Sequence, residues 1–407
     1  MPTRSHYWPP GHWDWLIHLP FKHGIRCGEM IYVGGQVDKD AKGLCLNLYD
    51  LKTQTGVVMK HINTVLAGFG AGHRDLVKLV AFYVNDGSVD EQAFLADIAR
   101  HLDSGSAPAI TLVPLPWLAY PGMMVEIEAV AMLGEDGRHL ETMRASPPSH
   151  WRLGEPFAQA VRCGEMIHVS AQVPRDAAGA LLHSGDVVRQ SEAVMENLAK
   201  VLAQFGATLD DAVKFNIYYL GDGTESNWRR AAEVRARYFK EPGPCATGLP
   251  VPWLPPGETI RMEIVAMLGR DGRHLPRSHV WPEGHWDWTI HLPYKHGLKC
   301  GNMVFVGGQV AMDSKGNVQD KDDLIKQSHT TMQNIGKVLA GFGLTLDDVV
   351  KNNAFYQGTA GPDTIVANQR VRAGYFKEPG PASTGVPLKF LAYEGMMTEI
   401  EVIAMTR

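Results

Sequence analysis

The chain has 407 residues, 45% of them hydrophobic and 20% charged, which is enough for one large core or several small ones. Its formal net charge of −5 disfavours nucleic acid as the main partner, because proteins that bind nucleic acid carry a surplus of Lys and Arg. No apolar run approaches the roughly 20 residues that span a bilayer, and the N-terminus lacks the apolar segment of a secretory signal. We therefore expect a cytoplasmic protein with no membrane partner.

One segment of the sequence occurs twice almost unchanged. Residues 5–15 (SHYWPPGHWDW) return as residues 278–288 (SHVWPEGHWDW), and a divergent third copy begins with SHW at residues 149–151. Self-similarity of this kind indicates one domain present in three tandem versions. We expect domains at residues 1–140, 149–271 and 278–407, joined by the polar, Pro-containing segments 141–149 and 272–278.

Each copy predicts the same order of elements. It opens with a strand that ends in a small-residue turn, at 29–37, 165–173 and 302–310. A long amphipathic helix follows, most regular at 188–202 and 324–339, where apolar residues recur every three or four positions. A second strand (213–219 in copy two), a second helix and a closing strand at 125–132, 261–267 and 398–405 complete the copy. This order predicts an α+β fold, in which a mixed sheet carries two helices on one face.

The motifs in these elements resemble those of the RidA/YjgF/UK114 (Rid) family. They are the Gly-Gln-Val end of the first strand, the Asp-Asp-Val-Val-Lys run at 347–351, the Tyr-Phe…Gly-Pro turn after the second helix and the Glu-Ile-Glu start of the closing strand. The resemblance implies chorismate-mutase-like domains with ligand clefts between neighbouring domains. Three such domains in one chain would form a self-contained pseudo-trimer, and whether chains associate further stays open.

The resemblance also implies chemistry at C–N or C=N bonds. Deaminating members of the family hydrolyse enamines and imines, with a Glu on the closing strand that positions water and an Arg after a Pro-Ala pair that holds the substrate carboxylate. The Glu is matched here by Glu126 and Glu399, and copy two has Arg261 instead. Other residues occupy the Arg position in the three copies: Ile110, Ala246 and Ser383. We therefore do not expect a small amino-acid-derived carboxylate as the substrate.

The second predicted helix offers other arginines. Copies two and three carry two each near its end: Arg235, Arg237, Arg370 and Arg372. They could supply positive charge to a cleft. The interpretation we expect is that they are solvated helix residues, since surface cations on helices are common and contribute little.

Copies one and three contain an aromatic and charged segment ahead of the first strand, at residues 11–24 and 284–297. In the Rid family, the aromatic residue aligned with Phe21 and Tyr294 lines the cleft, so the resemblance places this segment at a cleft mouth. The catalytic hypothesis gives Glu126 or Glu399 the role of positioning or activating water. In it, one His of the segment carries the proton and one Asp orients that His, in the pairs His12–Asp14 and His285–Asp287.

Substrate-binding roles are expected for the remaining aromatic and basic residues of the segment and for two aromatic residues that precede the closing strand. These are Trp13, Trp15, Phe21, Lys22, His23, Trp286, Trp288, Tyr294, Lys295, His296, Trp117 and Tyr393. So many aromatic side chains at one cleft favour a flat or aromatic ligand.

Three interpretations of the segment stay open: a packing arm, an acid–base site with Trp rings stacked on the substrate, and a metal site formed by His12, Asp14 and His18. The spacing matches no standard zinc motif, and the resemblance implies no metal or other cofactor. In an extended segment, His12 and Asp14 would share one face and Trp13 and Trp15 the other.

The leading hypothesis for function is a small-molecule hydrolase or deaminase, acting on an imine, an enamine or a substrate of aromatic catabolism. The alternative is a non-catalytic ligand-binding or scaffold protein built from degenerate Rid domains, which the replaced Arg favours. Repetition of the charged segment in two copies favours the enzyme. RNA cleavage, a label that the family sometimes carries, is disfavoured by the acidic balance of the chain.

Overall fold

A computed structural model describes residues 4–147 and 150–406, and Ser149, where the second domain was expected to begin, lies outside these ranges. The first unit contains strands β1 Arg4–Tyr7, β2 Gly24–Cys27, β3 Met30–Gln36, β4 Leu76–Val84, β5 Ala109–Leu115 and β6 Val125–Met132, with helices α1 Leu51–Ala67 and α2 Glu91–Ala99.

The second unit contains strands β7 Thr142–Ala145, β8 Ala160–Cys163, β9 Met166–Val169, β10 Ala212–Leu220, β11 Cys245–Val251 and β12 Ile260–Met267, with helices α3 Val187–Ala203 and α4 Glu225–Ala236. The third contains β13 Arg277–Val280, β14 Gly297–Cys300, β15 Met303–Gln309, β16 Val349–Gln357, β17 Ala382–Leu388 and β18 Thr398–Met405, with helices α5 Leu324–Ala340 and α6 Pro362–Ala373.

Each unit forms a six-stranded mixed sheet with the same strand order, β1-β2-β3-β6-β4-β5 in the first. The neighbours β4 and β5 run parallel because α2 crosses over between them, whereas β6 pairs antiparallel with both β3 and β4. The buried side of α1, which includes Val58, Ile62 and Val65, packs against Ile127 and Ala129 of β6 in one apolar core. The predicted α+β fold of three tandem chorismate-mutase-like domains is confirmed.

The structure corrects two details of the expected organisation. The first is that β7 lies in the segment expected to be a linker, and β13 likewise begins inside the second expected linker. Both are polar edge strands; β7, for example, pairs antiparallel with β8 from Thr142↔Cys163 to Ala145↔Ala160. The second is that the strand predicted at 165–173 ends at Val169. Beyond it, the chain bonds to the first unit, with Ala171 N–H donating to Ile110 O at 3.3 Å.

The three units close into a ring with pseudo-three-fold symmetry. One backbone hydrogen bond of the same kind joins each pair of units: Lys22 N–H to Pro381 O (3.3 Å), Ala158 N–H to Pro108 O (3.2 Å) and Lys295 N–H to Pro244 O (3.2 Å). The first bond joins units one and three, the second joins two and one, and the third joins three and two. The chain therefore forms the expected pseudo-trimer by itself.

Buried ion pairs between the units surround the pseudo-three-fold axis. Each joins a Lys of one unit to a Glu of another: Lys78–Glu263 (2.5 Å), Lys214–Glu401 (2.8 Å) and Lys351–Glu128 (2.8 Å). Loss of one partner of such a pair leaves an uncompensated buried charge, so these contacts make the relative placement of the units specific. Among the described residues, no helix has the length and apolar character needed to cross a membrane.

Candidate functional site

One cleft lies at each of the three boundaries between two units. The first cleft, between units one and three, is lined by Trp13, Trp15, Phe21, Tyr120 and Glu126 on one side and by Arg372 and Ser383 on the other. The second cleft, between units three and two, is lined by Trp286, Trp288, Tyr294, Tyr393 and Glu399, with Arg235 and Ala246 opposite. The third cleft, between units two and one, is lined by Trp151, Glu258 and Arg261, with Glu91 and Ile110 opposite.

A buried carboxyl group stands in the first and second clefts. Glu126 and Glu399 are each the second residue of the closing strand, β6 or β18, and each accepts a hydrogen bond from a backbone N–H of the neighbouring unit, that of Gly385 or Gly248. Burial, together with a second carboxylate two residues further along the strand, raises the pKa of both groups to about 8. Both groups are therefore mostly protonated at neutral pH and can donate a proton.

Glycine makes room for each of these carboxyl groups. A Cβ atom on Gly35 would lie 1.9 Å from Glu126 Oε1, and a Cβ atom on Gly308 would lie 1.9 Å from Glu399 Oε1. The small residues at the end of the predicted first strand thus let β3 lie close to the carboxyl group of Glu126, and β15 close to that of Glu399. Only glycine leaves this space.

A buried guanidinium group faces each carboxyl from the opposite unit. Arg372 and Arg235, each the second-last residue of its helix, are only 1% and 2% exposed, so the expectation of solvated side chains was wrong for them. Arg370 and Arg237 are exposed, as expected. Residues two apart lie about 200° apart around a helix, so one arginine of each pair faces the sheet and the other faces solvent.

The guanidinium group of Arg372 lies beside the position at which the family resemblance implies an arginine. Its Nη1 donates to Ser383 Oγ (3.1 Å) and Asn352 Oδ1 (3.0 Å), and its Nε donates to Asn368 Oδ1 (2.7 Å). Ser383 is the residue at the expected Arg position, on β17. The guanidinium group therefore enters the first cleft from helix α6 and not from strand β17. With this group present, the cleft can bind a carboxylate ligand.

Arg235 has none of these supporting acceptors. The residues at the corresponding places of β10, α4 and β11 are Phe215, Ala231 and Ala246, which offer no side-chain acceptor. Within the described part of the chain, Nε and Nη1 of Arg235 are buried without a hydrogen-bond partner. The Tyr294 hydroxyl is the neighbour that interacts with this guanidinium, and a phenol does not neutralise a buried cation, so an anionic ligand would compensate its charge.

The aromatic residues of the repeated segment lie where they were expected. Trp13, Trp15 and Phe21 line the first cleft, and Trp286, Trp288 and Tyr294 line the second. Tyr393 lines the second cleft as well, but Trp117 does not line the first. Its Nε1 donates to Gly358 O of unit three at 2.7 Å, whereas Tyr120 fills the place that corresponds to Tyr393.

The expected His–Asp pairs are not formed. His12 Nε2 lies 2.8 Å from Gln36 Oε1, while Asp14 Oδ1 accepts from its neighbour Trp15 N–H at 2.6 Å. The second copy of the segment has the same contacts, His285 to Gln309 (2.8 Å) and Asp287 to Trp288 N–H (2.7 Å). Burial lowers the pKa of His12 to about 4 and also lowers that of His285, so both rings are neutral at pH 7.

The basic residues of the segment do not line the clefts; they pack behind the Trp rings or pair with a Glu of the neighbouring unit. His23 is buried behind Trp15, with the two rings stacked at 5.1 Å, and His296 does the same behind Trp288 at 5.4 Å. Each Lys bonds to a Glu of the neighbouring unit at 2.6 Å, in the pairs Lys22–Glu378 and Lys295–Glu241. Their contacts thus match the packing interpretation.

The metal interpretation finds no support in the geometry. His12 is buried against Gln36, whereas the side chain of His18 is 82% exposed and contacts Glu378. Across residues 4–147 and 150–406, no group of three or more His, Cys, Asp or Glu side chains is placed to hold a metal ion.

In the third cleft the charged side chains pair with one another. Arg261, which stands at the Glu126 position, donates from Nε to Glu258 (2.7 Å) and from Nη1 to Glu91 (3.0 Å). Helix α2, on the opposite side of this cleft, carries no arginine, and its last residue, Ala99, takes the place of Arg372. The guanidinium here is already neutralised by two carboxylates, which leaves no free charge for a ligand.

Among the cleft residues that the sequence analysis missed or misjudged are Lys39, Tyr120, Trp228, Arg235 and Arg372. Two signals could have found most of them. The arginines recur at the same place in helices α4 and α6, and Tyr120 corresponds to Tyr393, which was identified. Nothing in the sequence distinguishes Lys39 from a surface lysine.

Comparison with known proteins finds the same repeat. The family model described as "Endoribonuclease L-PSP" matches residues 17–133, 152–268 and 289–406. A RutC family protein of Pyrococcus abyssi is 34% identical over 113 residues, which is 27% of this chain and 85% of that protein. The human 2-iminobutanoate/2-iminopropanoate deaminase is 30% identical over 114 residues, covering 28% of this chain and 81% of the human protein.

Among solved structures, a crystal structure of chorismatase is similar over most of its length. The match has a TM-score of 0.55 and 13% sequence identity, and covers 81% of this chain and 93% of the chorismatase chain. At this level of identity the likeness concerns the fold alone.

Proposed function

The chain belongs to the RidA/YjgF/UK114 family in three tandem copies, and on that premise we propose that it hydrolyses a carboxylate-bearing imine at its C=N bond, with the imine supplied as such or by tautomerisation of the enamine. The proposed sites are the first and second clefts. The observation that carries the proposal is the same in both: a buried guanidinium of one unit faces a buried Glu of the next, whose pKa burial raises, beneath two Trp rings.

The guanidinium group would bind the substrate carboxylate. A charge-assisted hydrogen bond in a site that excludes water is stronger than a neutral one, and Arg presents its donors in a fixed plane. In the second cleft the unpartnered donors of Arg235 gain acceptors when a carboxylate binds. The Trp rings would cover the body of the substrate and keep bulk water out.

The carboxyl group would act first as an acid and then as a base. Glu126 or Glu399 donates its proton to the imine nitrogen, and the carboxylate that remains accepts a proton from the water that attacks the imine carbon. The resulting carbinolamine loses ammonia and leaves a ketone, so that one imine and one water give one ketone and one ammonia. A carboxyl group with a pKa of about 8 suits the first step, because it still holds its proton at neutral pH.

The printed name of the human relative supports this class of substrate, since it describes a deaminase of two short 2-imino acids. The family description refers instead to RNA cleavage. A net charge of −5 and clefts built around a single guanidinium suit a small anion better than a polynucleotide, so we propose a small molecule as the partner.

Release of ammonia tests the proposal. 2-Imino acids with side chains from methyl to benzyl would be generated in solution from the corresponding amino acids, and the rate of ammonia release with the protein would be compared with the uncatalysed rate. We expect acceleration by the wild-type chain and none by the double variant Glu126→Gln, Glu399→Gln.

A matched control is available in the same two interfaces. Glu378 and Glu241 lie at the outer rims of the first and second clefts, where they pair with lysines. The double variant Glu378→Gln, Glu241→Gln should keep the wild-type rate, because exposed ion pairs contribute little and these residues do not line the clefts. Equal rates for the two double variants would refute the catalytic role.

A further inference from the structure

The first and second clefts differ at one charged position. Lys39 lines the first cleft, three residues after Gln36 of β3, and Met312 occupies the corresponding place in the second, three residues after Gln309 of β15. The first cleft therefore holds two cationic side chains, Lys39 and Arg372, whereas the second holds one.

Lys39 makes no direct ion pair with a carboxylate among the described residues. It is 4% exposed, and Glu126, Asp14 and Asp40 favour its charged form only through space, without a salt-bridge contact. Lys78 and Lys351, which are 5% exposed, each contact a Glu at 2.8 Å or less. An ammonium group removed from water normally requires such a partner, so the environment of Lys39 is incomplete.

Aromatic rings compensate only in part. Nζ lies 4.0 Å from the centroid of the Tyr120 ring and 5.7 Å from that of Trp13. An interaction of this kind stabilises a cation by less than the burial of an ion costs. Burial still lowers the pKa of Lys39 to about 8, which leaves the amine mostly charged at pH 7.

The rest of the two clefts follows the same division. Gln369 and Ser383 line the first cleft, where the second has Ala232 and Ala246 at the corresponding places of helix and strand. Conversely, the second cleft has Trp228 where the first has Ile365. One cleft is suited to a polar, more highly charged ligand and the other to an apolar ligand with a single charge.

We propose that the first cleft selects a dianion, whose two carboxylates are held by Arg372 and Lys39, while the second cleft selects a monoanion with an apolar or aromatic body. The inference rests on the proposed function, in that it takes the guanidinium as the first carboxylate site. It assigns Lys39 as a specificity-determining residue, and it means that one chain carries two sites for different substrates.

Calorimetric titration of the full chain tests this without turnover. The probes are the straight-chain dicarboxylates from malonate to adipate, each paired with the monocarboxylate of the same length. For the best-fitting length we expect one dicarboxylate to bind per chain, about tenfold or more tighter than its partner, since a buried charge pair commonly contributes that much.

Two single substitutions each give one cleft the residue that stands at the corresponding place in the other. Lys39→Met copies the second cleft and should remove the preference for the dicarboxylate while monocarboxylate binding is kept. Met312→Lys copies the first cleft and should create a second dicarboxylate site. Because Lys39→Met replaces an unpaired charge with the residue found at the corresponding place, we expect it to fold.

The outcomes separate the two proposals. If monocarboxylates bind but dicarboxylates bind no tighter, or if Lys39→Met keeps the preference, the specificity inference is refuted and the proposed function survives. If neither class binds, the guanidinium sites themselves are refuted, and the inference falls with them.

Discussion

Replacing the two cleft arginines by Met should have unequal effects on stability. Both guanidinium groups are buried to the same degree, but Arg372 donates three hydrogen bonds to side chains, to Asn352, Asn368 and Ser383, whereas Nε and Nη1 of Arg235 have no hydrogen-bond partner among the described residues. Removing Arg372 leaves the two fully buried acceptors, on Asn352 and Asn368, without a donor, at about 1 kcal/mol or more each. Removing Arg235 strands none there and relieves the burial of a charge, a change that is commonly neutral or stabilising by about 1–4 kcal/mol.

We therefore expect the free energy of unfolding of Arg372→Met to lie at least about 2 kcal/mol below that of Arg235→Met. Urea unfolding followed by circular dichroism would measure it, with the midpoints compared at equal slope. Both variants should lose carboxylate binding in their own cleft. If Arg235→Met is destabilised as much as Arg372→Met, then Arg235 has internal partners in solution, and the argument that its donors await an anion fails.

The remaining predictions concern the carboxyl groups and the third cleft. The rate of ammonia release should fall about tenfold from pH 7 to pH 9, because the protonated form of two acids with pKa near 8 is lost; a flat or rising profile would contradict their role as acids. The pKa of both groups is raised from 4.5 to about 8 on folding, so the folded state holds protons that the unfolded state releases. The stability that these protons contribute is fully present below pH 4.5 and is lost as pH rises through about 8. The double variant Glu126→Gln, Glu399→Gln should therefore lose less stability between pH 4.5 and 8 than the wild type does. Gly35→Ala should displace Glu126 and remove the first cleft's share of the rate, whereas Gly336→Ala, where a Cβ atom meets nothing within 4 Å, should not; equal rates would show that the carboxyl group adapts. Glu258→Gln should lower stability by about 3 kcal/mol by leaving Arg261 short of one partner, with the rate unchanged; a lower rate in the folded variant would mean that the third cleft takes part in catalysis.

Most of the fold could be predicted from the sequence because it depends on local patterns. The apolar spacing at 188–202 predicted helix α3, which the structure places at Val187–Ala203, and the closing strands were located to within a residue. The linkers were misjudged because a polar, Pro-containing segment also suits an edge strand, and whether it pairs depends on the strand beside it.

The site was predicted only in part, because its two halves come from different units. Glu126 and Glu399 could be named from a strand motif. Arg235 and Arg372 recur at the same place in two helices, but their burial could not be predicted, since it depends on which helix face meets the neighbouring unit. The His–Asp pairs failed for a related reason. His12 is held by Gln36, which lies 24 residues away, and no spacing within the segment reveals that contact.

The rate of ammonia release by the single and double Glu variants tests the central claim, that two independent clefts carry out the same reaction. For a substrate accepted by both clefts, Glu126→Gln and Glu399→Gln should each keep part of the wild-type rate, the two residual rates should add up to it, and the double variant should show none. A double variant that still releases ammonia at the wild-type rate would contradict the account.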